Sequence, residues 1–295
     1  MNSLKQKVVL TILLAIPSVA LSDTFGYSTA SSDNSLYRID LSNGMATNLG
    51  TINTDAVLGG IAASGANLYA VSTSDNGNLA SQLYNVTTPP GSLVGDTSPR
   101  FGSTTGAAYR SQDGFIYDLQ GSPSLTMGAS QSALYQINPA TASSTLLGFS
   151  NTYANGLAFS NGGAAYATDF QQSGSLYQVS LNPYALTLVG SFGLGIGGTG
   201  FNSGAAFDPS TGALYVLRED GAIFTVSTSG PNAGAATFDS FVIDSNTDMR
   251  IASSLEGLAI SGSVSSATPE PASLLLLVSG FLLLTLYLRK CSASN

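Results

Sequence analysis

Histidine and tryptophan are absent from the 295 residues, and cysteine occurs once, as Cys291. Without them the usual His and Cys ligand sets for zinc, iron and copper cannot be assembled, and an internal disulfide is impossible. Charge is scarce as well, at 9% of residues. Together with the abundance of Gly, Ser, Thr, Asn and Ala, that scarcity argues against long charged helices and suits many short strands joined by tight turns. Basic residues are scarcest of all. Four of the nine, Lys5, Lys7, Arg289 and Lys290, lie in or beside two terminal apolar segments. The body between Asp23 and Glu270 keeps five arginines against 17 acids, a formal charge of −12. Such a surface repels phosphates and anionic lipid headgroups, which excludes nucleic acid as a partner.

What is present organises the chain into three parts. Residues 1–22 carry Lys5 and Lys7, an apolar run from Val8 to Leu21 interrupted by Pro17, and the small-x-small pattern Ala20-Leu21-Ser22. This is the form of a secretory signal peptide cut by signal peptidase before Asp23. Residues 23–262 form the body, and 263–295 hold a linker and a second apolar run, about 273–288, followed by Arg289-Lys290. Sixteen helical residues at ~1.5 Å each span ~24 Å, enough to cross a thinned bilayer. The two bases would hold the far end in the cytoplasm by the positive-inside rule, leaving the body outside. Cys291 is read as a cytoplasmic thiol that could be acylated.

Immediately before that run stands Pro269-Glu270-Pro271. The two prolines stiffen the chain in an extended form and present the carboxylate at the membrane surface. A Pro-Glu-Pro motif abutting a short transmembrane helix and a basic cluster resembles the sorting tag of PEP-CTERM proteins. The resemblance covers about 27 residues and departs from the usual tag in its short basic cluster and somewhat long tail. It implies that Pro269, Glu270 and Pro271 are the motif read by exosortase, with Arg289 and Lys290 as the retention cluster. It further implies a Gram-negative host making exopolysaccharide, an inner-membrane precursor, and delivery to the cell surface or medium.

Two strand motifs recur through the body. The first is an aliphatic residue followed by an aromatic one and, two further on, a second aliphatic: Leu36-Tyr37-Arg38-Ile39, Leu83-Tyr84-Asn85-Val86, Leu134-Tyr135-Gln136-Ile137, Leu176-Tyr177-Gln178-Val179 and Ile223-Phe224-Thr225-Val226. Successive copies stand 47, 51, 42 and 47 residues apart, room for four strands and their turns. About a dozen residues after the aromatic comes an aliphatic-Gly ending, as in Leu49-Gly50 and Val189-Gly190, so each unit is a hairpin. The second motif is a Gly-led strand of small residues, Gly60-Ile61-Ala62, Gly106-Ala107-Ala108, Gly156-Leu157-Ala158 and Gly204-Ala205-Ala206, each followed by an aromatic strand. Gly and Ala let inner strands crowd a central axis. A fifth copy, Gly257-Leu258-Ala259-Ile260, lacks its partner strand, while Phe25-Gly26-Tyr27 at the start is unpaired. Joining the two closes the ring, and the fold expected is an all-β five-bladed propeller completed by strands from both termini. Six or seven blades, or a β-sandwich, are the alternatives. The Leu-Tyr-x-Ile pattern with its turn and Leu-Gly also resembles repeats of secreted bacterial propellers.

Candidate chemistry is sparse. Asp75, Asn76 and Asn78 cluster oxygen donors around Gly77 and could hold calcium, but they lack EF-hand spacing and read first as a surface turn. No other cofactor is implied. The glycine-rich stretch 193–200 lacks a P-loop lysine and reads as a connection between blades. A glycosidase would need paired carboxylates. The body offers Glu219 and Glu256 as its only glutamates before the sorting motif, with aspartates in turn settings such as Asp113-Gly114, Asp208-Pro209 and Asp220-Gly221. Acids in turns are ordinarily solvated. The body is therefore expected to be a non-catalytic propeller serving a structural or binding role toward exopolysaccharide or a surface protein. A secreted glycosidase or sugar-binding lectin is the alternative.

Overall fold

The computed structural model describes residues 24–73, 81–97, 104–122, 131–193, 195–196, 201–251 and 254–261. All of their regular structure is β, and no helix among them is long and apolar enough to cross a membrane. The two terminal apolar segments lie outside the described residues.

The first three strands are β1 (Phe25–Ala30), β2 (Ser35–Asp40) and β3 (Met45–Thr51). Four complete antiparallel sheets follow in chain order. Blade 2 is β4 (Val57–Ser64), β5 (Asn67–Thr73), β6 (Gln82–Asn85) and β7 (Ser92–Asp96). Blade 3 is β8 (Thr104–Arg110), β9 (Phe115–Gly121), β10 (Ser132–Ile137) and β11 (Ser144–Ser150). Blade 4 is β12 (Gly156–Phe159), β13 (Ala165–Asp169), β14 (Ser175–Leu181) and β15 (Tyr184–Ser191). Blade 5 is β16 (Ser203–Phe207), β17 (Leu214–Arg218), β18 (Ala222–Val226) and β19 (Ala236–Phe241). Two last strands, β20 (Ile243–Asp244) and β21 (Leu255–Ile260), return to blade 1. There β21 pairs with β1, Tyr27 opposite Ala259, and supplies the inner strand that the first blade lacks. The chain is a five-bladed propeller closed by both of its ends.

A second closure was not legible in the repeats. On its way to the axis the chain lays β20 in parallel on the outer edge of β3, Ile243 opposite Met45. Blade 1 is thus clamped at the axis and at the rim, and its outer edge is covered.

Both sequence motifs have a packing reason. The leading aliphatic of each Leu-Tyr strand faces the next blade, whereas the aromatic and the second aliphatic face the previous one. Leu176 packs with blade 5 residues such as Phe207 and Val216, while Tyr177 and Val179 pack with Leu119 and Leu134 of blade 3. A period-two strand standing between two neighbours must be apolar on both sides, and this motif supplies that. Five separate hydrophobic clusters result, one at each seam. The aliphatic-Gly endings prove to be β-bulges. In every blade the register of the outer hairpin shifts at the aromatic, leaving Leu49, Val94, Leu147, Val189 and Asp239 as the extra residues. The glycine that follows lets the neighbouring blade approach. A Cβ on Gly148 would stand 3.1 Å from Tyr184 Cβ, and one on Gly190 would strike the Ala233 carbonyl.

Around the axis the Gly-led strands β4, β8, β12, β16 and β21 meet backbone to backbone. A Cβ on Gly106 would collide with the Asn155 carbonyl, one on Gly204 with the backbone of Gly257 and Leu258, and one on Gly257 with Ile61 N at 2.7 Å. The glycines form a collar. On its C-terminal side Ala62, Ala108, Ala158, Ala206 and Ala259 line a narrow cavity of about 70 Å3, ringed further out by Tyr109, Phe159, Phe207 and Ile260.

Candidate active site

On the other side of the collar, where the inner strands begin, the packed residues turn polar. Ser28, Thr29, Asn155, Thr168 and Ser203 are all buried there. Buried hydroxyls and amides must find partners, and these find them across a seam or on the backbone of their own blade. Ser203 Oγ lies 2.9 Å from Thr168 Oγ1 of blade 4, and donates to Asn155 Oδ1 at 3.5 Å. Asn155 Nδ2 donates to Asn202 Oδ1 at 3.0 Å, joining blade 4 to blade 5. Ser28 and Thr29 donate their hydroxyls to the Glu256 carbonyl at 3.1 and 3.3 Å.

Glu219 and Glu256 meet at this mouth. Glu256 lies on β21 just before Gly257, and Glu219 follows β17 directly. Backbone bonds bring the two segments together, since Glu219 N donates to Asn202 O at 2.9 Å and Leu255 N donates to Glu219 O at 3.1 Å. Asn202 then serves both carboxyl groups. Its backbone N donates to Glu219 Oε2 at 3.0 Å, and its side chain hydrogen-bonds Glu256. Burial and the neighbouring Glu219 charge push Glu256 up to about 8, against the partial relief of the Asn202 bond. Glu256 therefore holds its proton at neutral pH. A protonated carboxyl beside a second carboxyl, both fixed by one asparagine, is an arrangement that can give a proton from one group and accept one at the other.

The turn aspartates are otherwise engaged. Asp113 accepts from Arg110 at 2.6 Å and from Tyr117 at 2.7 Å, and Asp208 accepts from Ser210, Thr211 and Thr24. Asp220 is forked by Arg218 at 2.8 and 2.9 Å and also takes Arg250 at 2.8 Å. These are structural turns, as their sequence settings imply.

The other residues singled out in the sequence lie outside the described residues: Ala20, Ser22 and Asp23 at the N-terminus, Asp75, Asn76 and Asn78 of the calcium candidate, and Pro269, Glu270, Pro271, Arg289 and Lys290 at the C-terminus. Among the described residues no three His, Cys, Asp or Glu side chains converge as a metal site. The two glutamates were visible as the body's only pair. Their meeting was not, because they are 37 positions apart on different blades. Asn202 carried no signal at all.

No protein family and no curated protein matches the chain. Solved structures do. The PQQ-bound aldose sugar dehydrogenase from Streptomyces coelicolor is 17% identical over 81% of this chain and 85% of its own, with a TM-score of 0.46. A putative gluconolactonase is 12% identical over 73% and 78%, with a TM-score of 0.45. An engineered GH43 glycoside hydrolase is 13% identical over 63% of this chain and 41% of its own, with a TM-score of 0.48. At these levels the likeness concerns architecture and transfers no activity. The expectation of a non-catalytic body is corrected: the three structures just named are enzymes, although none of them carries an activity to this chain, and the turn aspartates on which that expectation was judged lie apart from the two glutamates that meet here.

Proposed function

We propose that this is an exported bacterial surface protein whose propeller takes a carbohydrate at the polar axial mouth and acts on it by acid–base chemistry. The observation that carries the reading is Asn202 holding Glu219 through its backbone and Glu256 through its side chain. In that role Glu256 gives its proton to a glycosidic oxygen as the carbon–oxygen bond breaks. Glu219 accepts a proton from the water that adds to the sugar carbon, and proton exchange with solvent resets the pair. The buried hydroxyls and amides behind the two glutamates would hold the strands that carry them in place.

Delivery rests on the two ends. Signal peptidase would cut beside Ala20-Leu21-Ser22. Exosortase would then read Pro269-Glu270-Pro271 while Arg289 and Lys290 hold the helix in the inner membrane, and exopolysaccharide outside the cell would be the natural carbohydrate. Calcium at Asp75, Asn76 and Asn78 is an optional addition that the reaction does not require.

Two assays test the two halves. Turnover of a panel of chromogenic glycosides, alongside a pull-down on soluble exopolysaccharide, should find activity that Glu256→Gln and Glu219→Gln each reduce by at least ~100-fold while binding persists. Unchanged turnover in both variants, or none on any substrate, refutes the chemistry. Changing Pro269-Glu270-Pro271 to alanines should leave uncut precursor in the inner membrane, and normal surface delivery of that variant refutes the sorting.

A further inference from the structure

Asp118 is a second acid that the site does not use. It is fully buried on β9, and strand alternation sets it with Ile116 on the side that packs against Ala62, Val71 and Leu83 of blade 2. In β8 and β9 it stands opposite Ala107, the residue after the axial glycine. The same place holds Ala70 in blade 2, Ala167 in blade 4 and Val216 in blade 5, opposite Ile61, Leu157 and Ala205. In blade 1 it falls at Ser28, within a register shift. A carboxyl has thus replaced a small, mostly apolar side chain in one blade of five.

Its hydrogen bonding is half complete. Gln120 Nε2 donates to Asp118 Oδ2 at 2.8 Å, and Oδ1 has no partner. The titratable groups on this side are Tyr135 of β10, directly opposite, Tyr69 of β5 and Tyr109 of β8. Of the described charged residues of blades 2 and 3, Asp96 accepts from Gln82 and Arg110 pairs with Asp113. No described cation faces Asp118.

We propose that Asp118 is a pH-sensitive latch on the seam between blades 2 and 3: neutral, it lets the two blades pack, and ionised, it loosens them. An orphaned carboxylate buried among Ala, Val, Leu and Ile without a counter-ion is costly unless it keeps its proton or the seam admits water. Burial raises the carboxyl from 3.8 to about 7, only partly offset by the Gln120 bond, so the change falls near neutrality. The sign follows from the raised value. The folded form binds the proton more tightly, so Asp118 weakens folding progressively from about pH 4 and ceases to add to the loss above about pH 7.

The test compares the full chain with its Asp118→Asn and Asp118→Ala variants, all in a Glu256→Gln background so that only one raised carboxyl titrates. The folding equilibrium of Asp118→Asn relative to the parent should improve by about tenfold per pH unit across that window and then level off. Once its intrinsic base-catalysed rise is divided out, amide hydrogen exchange in β9 and β10 of the parent should quicken between about pH 4 and pH 7 and level off above, and that excess should vanish in both variants. A ratio independent of pH overturns the latch, as does exchange at the seam that is equally pH-dependent with and without the acid. If the variants do not fold, infrared difference spectra of the parent decide: a protonated carboxyl band must be lost on passing through neutrality, and its absence overturns the latch too.

Discussion

Asn155 gives its amide N–H to Asn202 Oδ1 at 3.0 Å, which leaves the Asn202 amide nitrogen free to face Glu256. The Asn155 donor fixes which end of the Asn202 amide is the oxygen and turns its N–H group toward Glu256, so a contact between blades 4 and 5 sets the polarity of the group that serves the acid. Removing that donor should raise Glu256 further. In Asn202→Ala the carboxyl should titrate above its wild-type value of about 8 in carbon-detected NMR, and Asn155→Ala should move it the same way by less. A merely structural asparagine would leave the titration where it is.

The raised acid also leaves a mark on stability. Glu256 stands at about 8 in the fold against 4.5 when free, so the folded state holds the proton more firmly. Its contribution is unaffected below the free value, and stability falls as pH rises from there toward the folded value. Thermal unfolding of Glu256→Gln, scanned across that window, should lose less stability with rising pH than the wild type. Parallel curves would contradict the assignment.

Asp220 behaves in the opposite sense. Burial alone would raise its carboxyl, but the hydrogen bonds and charge of Arg218, the Ala222 N–H and the Arg250 charge hold it below 3.8. Its stabilisation is therefore present above the free value and lost as pH falls through the folded one. Asp220→Asn leaves two guanidinium groups without their acid and should cost ~3 kcal/mol at neutral pH by denaturant titration. Arg250→Ala should cost ~1 kcal/mol, because that side chain is a third exposed, although it gives up one contact to the Asp220 carboxylate, its bonds to the Asp220 carbonyl and its seat 3.6 Å over the Phe241 ring.

The axial collar has no room for a methyl group where inner strands touch. In Gly204→Ala the new Cβ would meet the backbone of Gly257 and Leu258, atoms that cannot move without opening the ring, and a loss of more than ~4 kcal/mol or outright failure to fold should follow. Gly65→Ala is the control. Nothing lies within 4 Å of its Cβ position, and its φ of 60° should cost only ~1 kcal/mol. Equal losses in both variants would mean that backbone conformation, not the axial contact, governs the collar.

The fold could be read from the chain because its repeats state a packing rule. Tyr177 and Leu176 differ in which neighbour they touch, and that two-sidedness recurs at a spacing that only blades satisfy. The fifth Gly-led strand without a mate gave the closure by β21. By contrast, β20 is two residues of unremarkable sequence that pair because the chain must pass β3 on its way to the axis, so nothing local announces it. Asp118 was hidden for a related reason. Its neighbours Tyr117 and Leu119 fit the strand pattern and nothing in the sequence singles out the acid between them, yet a blade flanked on both sides has no exposed face at that depth.

Closure by both ends carries the last prediction. β21 is the inner strand of blade 1, and its Leu255 and Leu258 pack with Leu217 and Ile223 of blade 5, while Ala259 packs with Leu36 and Ile61 on the other side. A chain ending at residue 254 would expose the inner edge of β1 and open two of the five seams at once. Loss of several buried aliphatic side chains, each worth ~2–3 kcal/mol, exceeds the margin of a typical domain, so the truncated chain should lack a cooperative unfolding transition. Adding residues 255–261 back as a separate peptide should restore the transition in proportion to peptide concentration, since binding only the folded form stabilises it by mass action. A truncated chain that unfolds cooperatively without the peptide would show that four blades and an open edge are sufficient, and that the terminal strand is an ornament of the ring and not its fastening.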